Sequence, residues 1–200
     1  MLIQSPTKAI PKELIYEMDD GKPIFYKGYR HFLNESKYEN NNDMGDSSLQ
    51  AWLKGKIFLE ISHALAQHYD VTVGEQGLSL SKHNWRAVDI AVFRFGDLVL
   101  YIQYSKKPPL VAIEIDLKAH FDSPEKAVEY YENKNARLLA FGVQKIIWAF
   151  SGSRKVRVIS VSEPAKTFEW SEDVPVIEDV KLNLDQLFVK YRRSDLSGLK

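Results

Sequence analysis

The chain has no cysteine in its 200 residues. This excludes a disulfide framework, a thiolate metal site and a cysteine nucleophile, and it suits a reducing compartment. Net charge is missing as well. The 27 basic residues balance 27 acidic ones, so no global field draws the molecule to nucleic acid or membrane, and any polyanion contact must come from a local patch. No apolar run approaches the roughly 18 residues of a membrane helix. The opening "MLIQSPTKAIPKELIYEMDD" lacks the basic-then-apolar order of a signal segment. A soluble cytoplasmic protein without a membrane partner is expected. Of the five histidines, His31, His63, His68, His83 and His120, only His63 and His68 approach ligand spacing, and they are out of phase on a helix. A zinc site is not expected, and His120 reads as a lone surface histidine. No internal repeat or low-complexity tract occurs.

What is present suits one domain over residues 1–200, large enough for a hydrophobic core. It divides into an N-terminal hairpin and polar loop (1–47), a core (48–160) and a C-terminal extension (161–200). The turn signal Asp20-Gly21 predicts two short strands on either side of it. "NESKYENNNDMGDSS" from Asn34 to Ser48 predicts a solvated loop. Next, "SLQAWLKGKIFLEISHALAQHY" spaces Leu49, Trp52, Leu53, Ile57, Ile61, Ala64 and Leu65 by threes and fours, an amphipathic helix capped by Ser47 or Ser48. Four β-rich segments follow, "DVTVGEQGLSLS", "RAVDIAVFRFG", "LVLYIQY" and "PPLVAIEIDLK", predicting mainly antiparallel strands. A second helix is announced by Ser123 as N-cap, Pro124 at its first position, Glu125 in its first turn and Gly142 as its stop. "VQKIIWAFS" and "KVRVISVS" predict two more strands, and "VKLNLDQLFVKYRR" a short strand leading into a last helix. The order predicts an α/β fold, a mixed central sheet flanked by helices.

One segment carries the chemical signal. In "LVAIEIDLK" (Leu110 to Lys118) every second residue from Glu114 onward is charged, so the period of a strand lines Glu114, Asp116 and Lys118 along one face over about 13–14 Å. Unpaired carboxylates on a half-buried strand are costly. A hard divalent ion with a preference for oxygen ligands, Mg²⁺ or Mn²⁺, is the simplest reason to place two together. Asp89 lies between Val88 and Ile90 in another apolar strand, and neighbouring strands would bring it to the same ion. The metal ligands expected are Asp89, Glu114 and Asp116, with Lys118 orienting the attacking water or neutralising charge on a phosphate. The alternative is a solvated strand face with ordinary ion pairs. For Asp89 alone, a carboxylate bonded to backbone amides is an equal reading. Glu60 and Glu75 could complete a metal shell, although surface charge explains them too. Tyr130 and Tyr131 could meet a phosphate, one of them being a core residue. Lys118, Lys126, Lys134 and Arg137 could form a basic patch, or pair within the helix with Glu125, Glu129 and Glu132.

"VDIAVF" followed by "EIDLK" resembles the PD-(D/E)XK nuclease superfamily, with Val88 where the motif has proline. The layout of "ELIYEMDDGKPI", "VDIAVFR", "PPLVAIEI", "FGVQKIIWAF" and "VPVIEDVKLNLDQLF" is similar, over nearly the whole chain, to the Uma-type restriction endonuclease family of bacteria. The resemblance implies a restriction-endonuclease-like fold with an N-terminal hairpin layer and Mg²⁺-dependent hydrolysis of DNA phosphodiesters, and it carries over Asp89 and Glu114; Asp116 and Lys118, read from the charged row, complete the expected catalytic set. The family text after the strand glutamate is closer to "EVLSPS" than to this chain's "EIDLKA", which leaves the lysine role open among Lys118, Lys126 and Lys134. A homodimer would suit cleavage of two strands, although no sequence feature fixes an interface. The other functional reading is an inactive relative that binds nucleic acid or a protein partner.

Overall fold

The computed structural model of the chain describes residues 10–30 and 45–193. His31 and most of the polar segment Asn34–Ser48 lie outside them. Strands β1 (Ile15–Asp19) and β2 (Lys22–Phe25) form the hairpin at Asp20-Gly21, both of which take positive φ as this tight turn requires. Helix α1 (Ser48–Leu65) opens on a capping box: Ser47 Oγ accepts from Gln50 N, and the Gln50 side chain accepts from Ser47 N. Strands β3 (Tyr69–Ser81), β4 (Asn84–Arg94) and β5 (Val111–Ile115) follow, then helix α2 (Pro124–Phe141). Helix α2 has Ser123 as its N-cap, and Gly142 at φ 117° ends it in the left-handed conformation that glycine adopts at low cost. The chain closes with β6 (Lys145–Phe150), β7 (Lys155–Ser160), β8 (Lys166–Glu169), β9 (Val174–Ile177), β10 (Val180–Leu182) and α3 (Leu184–Lys190).

Eight strands form one sheet with the path β2-β1-β4-β5-β6-β7-β8, and β3 pairs with β4 along most of its length. All pairs are antiparallel except β5 and β6, which are joined through α2. The N-terminal hairpin is therefore an edge of this sheet, not a separate layer. Alternate residues of β4 and β5 feed two cores. Ile90, Val92, Val111, Ile113 and Ile115 pack against Leu53, Ile57 and Ile61 of α1, while Ala91, Phe93 and Ala112 pack toward Leu138 of α2. With every residue of β5 buried, this strand runs through the middle of the molecule.

Two expectations fail. "LVLYIQY" forms no strand: residues 98–104 make an irregular loop in which Leu100 and Ile102 are exposed. Its alternation satisfies β-propensity but no neighbouring edge pairs with it, and propensity without a ladder does not hold a strand. Strand β5 also stops at Ile115, and Asp116 takes a φ of 56°. The alternation that would have carried Glu114, Asp116 and Lys118 along one face is broken after its first member.

Candidate functional site

A strand has two edges, and β3 occupies one edge of β4. The other is shared by two strands. Strand β1 pairs there at Trp85 through Met18, and β5 pairs at Ile90–Val92. Between them the ladder opens at residues 87–89, and carboxylates fill the fork. Glu17 Oε1 accepts from Ala87 N at 3.0 Å, and Asp89 Oδ2 accepts from Ile115 N at 2.8 Å. Backbone donors that the split would leave unpaired are thus satisfied by side chains. One step beyond the last paired residues, Ile90 and Ile113, the two adjacent strands carry Asp89 and Glu114, each about 1% exposed.

Cations surround them in two groups. Asp89 Oδ1 lies 2.7 Å from Lys118 Nζ and 3.0 Å from Lys54 Nζ of α1, and Asp46 bridges the same two ammonium groups at 2.8 and 2.5 Å. Glu75 stands 3.7 Å from Lys118 and accepts from Tyr26. The second group lies deeper. Lys134 Nζ, 1% exposed, sits 2.8 Å from both Glu114 Oε1 and Glu17 Oε1. The approach is ionic and not aligned as a hydrogen bond. Glu17 Oε2 accepts from Tyr130 at 2.9 Å, and Arg86 reaches it at 3.6 Å.

Burial governs the protonation of this group. Desolvation pushes the Glu114 carboxyl up to about 8; the attraction of Lys134 opposes the shift and the nearby charges of Asp89 and Glu17 reinforce it. Burial works against the charge of Lys134, but Glu114 and Glu17 outweigh it and raise its pKa. Lys118 is likewise disfavoured by burial, and Asp89 and Asp46 overcome this and raise it. Both lysines are ammonium ions at neutral pH.

Among the residues singled out from sequence, Asp89, Glu114 and Lys118 therefore come together, and Lys134 joins them. Asp116 is committed elsewhere. Its Oδ1 accepts from Ser151 N at 2.8 Å, and its Oδ2 accepts from Ser151 Oγ at 2.6 Å and from Gln50 Nε2 at 3.0 Å, so it ties β5 to the start of α1 and the end of β6. Glu60 binds Lys190 and Tyr191 at the C-terminal end of the fold, whereas Glu75 lies at the rim of the site. Tyr130 is buried against Glu17, and Tyr131 packs on Trp148 and Phe150. The basic patch dissolves into pairs: Lys126 with Glu129, Arg137 with Asp19 and Asp20, Lys118 and Lys134 with the acids. Glu17, Lys54, Asp46 and Arg86 were not anticipated. Glu17 had a signal, an acid between Tyr16 and Met18 in β1, whereas Lys54 and Asp46 read as surface charge.

No three acid or histidine side chains converge as a ready metal cage among the described residues. Mg²⁺ does not demand one. It keeps several waters and is commonly held by one or two carboxylates, so Asp89 and Glu114 have the right chemistry for it, with the lysines now on Asp89 Oδ1 and Glu114 Oε1 occupying the positions an ion would take.

No protein-family description matches the chain, and no curated protein matches it. The fold has a solved counterpart, the crystal structure of "a putative nuclease belonging to DUF820" from Anabaena variabilis. It matches with a TM-score of 0.63 and 16% identity over 91% of this chain and 94% of that one. The mixed α/β arrangement expected from the sequence, a central sheet flanked by helices, is the arrangement found, and the solved neighbour shares it. Among the described residues no helix is long and apolar enough to cross a membrane.

Proposed function

We propose that the protein is a nuclease that hydrolyses DNA phosphodiester bonds with Mg²⁺, or Mn²⁺, held by Asp89 and Glu114. The observation that carries this reading is the placement of these two buried acids on adjacent strands, one step beyond the last paired residues Ile90 and Ile113, with a lysine against each. The fold shared with a protein described as a nuclease supports it. A bound divalent ion supplies charge for the phosphoryl oxygens and a more acidic water.

Within this reading the chain's own residues divide the work. Lys118, the less buried of the two lysines, holds Asp89 and can meet a phosphate oxygen or the attacking water. Lys134 offsets Glu114 and Glu17 from below. Asp116, with both oxygens engaged, fixes the geometry of the segment that carries Lys118. Cleavage of both strands would suit a pair of protomers.

The test is cleavage of plasmid, single-stranded DNA and RNA with Mg²⁺ or Mn²⁺, using Asp89→Asn and Glu114→Gln as folded controls checked by circular dichroism. DNA cleavage that falls at least about 100-fold in either variant is expected. Wild-type protein inert on all three substrates would refute it. A second reading, a nuclease fold that binds without cutting, is favoured by one observation: each buried acid already has a lysine partner. Binding of nucleic acid with no metal-dependent cleavage would select it.

A further inference from the structure

Residues 118–120 pair with the chain just after β2. Lys27 N donates to Lys118 O at 2.7 Å, His120 N donates to Phe25 O at 2.8 Å, and Tyr26 bridges Ala119. Lys118 turns from this ribbon to Asp89, while its neighbours Leu117 and Ala119 line a cavity of about 500 Å³. A second cavity of about 410 Å³ shares His120 and Phe121 with the first and reaches Tyr130, whose hydroxyl bonds Glu17 of the buried ionic group. One extended segment thus reaches the acids through Lys118 and lines two adjacent cavities through its neighbours.

The walls are aromatic, with Phe121 and Tyr130 at the edge of a small core cluster. Phe25 and Tyr29 stack at 4.5 Å and 19°, His120 meets the Tyr29 ring edge-on at 5.1 Å, and Phe121 leans on Tyr130 at 5.1 Å. Phe25 and Phe121 are only half-buried. Lys27 lines the first cavity and Lys22 the second, and neither has an ion pair among the described residues. Their neighbours Arg30, Lys126 and Arg137 are all paired. Half-buried rings beside free ammonium groups match a ligand with a flat apolar face and an anionic backbone, and the volumes lie in the range of small-molecule sites.

We infer that the adjacent cavities receive an unstacked nucleotide of the substrate strand, its base against Phe121 and Phe25 and its flanking phosphates toward Lys27 and Lys22. The inference rests on the proposed nuclease activity and narrows its substrate to single-stranded or locally unpaired DNA. A base inside an intact duplex cannot reach these rings, and an already unpaired one enters without the cost of unstacking.

The experiment measures binding of DNA carrying the fluorescent base 2-aminopurine, as a single strand and within a matched duplex, by intact protein in EDTA so that cleavage does not intervene. The single strand should bind at least about tenfold more tightly, with its fluorescence quenched by stacking. Phe121→Ala should weaken it by about 5- to 100-fold, the range of one lost stacking contact. Lys27→Ala should weaken binding and flatten its salt dependence, and Phe121→Trp should restore binding if the ring itself matters. Equal affinity for duplex and single strand, or a Phe121→Ala protein that folds and binds as well as wild type, would overturn the inference. These outcomes separate from the nuclease reading. Cleavage that depends on Asp89 but ignores Phe121 and strandedness sinks the pocket alone, whereas Phe121-dependent binding without metal-dependent cleavage sinks the activity alone.

Discussion

The ammonium of Lys134 lies 2.8 Å from Glu114 Oε1, and both side chains are almost wholly withdrawn from water. One end of the pair comes from the middle of helix α2 and the other from the centre of the sheet. The ion pair therefore stands where a hydrophobic contact would otherwise join the two layers, and its removal has unequal consequences according to which partner is lost.

Above pH about 8, where Glu114 is ionised, Lys134→Ala should destabilise the fold by about 3–5 kcal/mol, since it leaves Glu114 and Glu17 buried with less compensating charge. Lys134→Met combined with Glu114→Gln should recover much of that loss. Urea unfolding of the single and double variants measures both, and a Lys134→Ala protein as stable as wild type would show that Arg86 alone suffices for these acids.

Glu114 gives the metal-free protein a distinctive pH response. Its carboxyl is raised from 4.5 to about 8 in the folded state, so between those values the native protein holds a proton that the unfolded chain has released. Stability from this group is present below about 4.5 and declines as pH rises through about 8. In EDTA, the unfolding midpoint followed against pH should fall across that interval for wild type and more shallowly for Glu114→Gln. Parallel curves would mean that Glu114 is ionised throughout.

Asp116 behaves as a brace. Asp116→Ala frees Gln50 and Ser151 and should cost about 1–3 kcal/mol of stability, while divalent-ion affinity stays within about threefold of wild type by this account. Asp116→Gly should be milder than Asp116→Ala, because glycine relieves the left-handed backbone at φ 56°. Loss of ion binding in a folded Asp116→Ala protein would return this residue to the ligand set.

The sequence disclosed elements whose signals are local. Ser47 or Ser48, Ser123 with Pro124, and Gly142 mark helix ends by chemistry confined to one turn; each marks a real boundary, and Ser47 is the cap of the first. The acids of β4 and β5 were legible because both interrupt apolar runs. Strands β8 and β9 were missed, being four residues each with little alternation. "LVLYIQY" was misread because pairing depends on an edge that only the tertiary fold offers or withholds. Lys134 shows a signal that could have been weighed more heavily: Tyr130, Lys134 and Leu138 recur at intervals of four on one helical stripe, and all three are buried. Glu17 could not be joined to Glu114 through Lys134, nor Lys54 of α1 to Asp89, before the tertiary fold was known.

The central claim is that Asp89 and Glu114 hold one divalent ion between them, and calorimetric titration of Mn²⁺ into metal-free protein tests it most directly. The account predicts one ion per chain, with binding abolished in folded Asp89→Asn and Glu114→Gln proteins and retained in Lys27→Ala. Absence of Mn²⁺ binding by the wild type, or binding that survives both carboxylate substitutions, would contradict it.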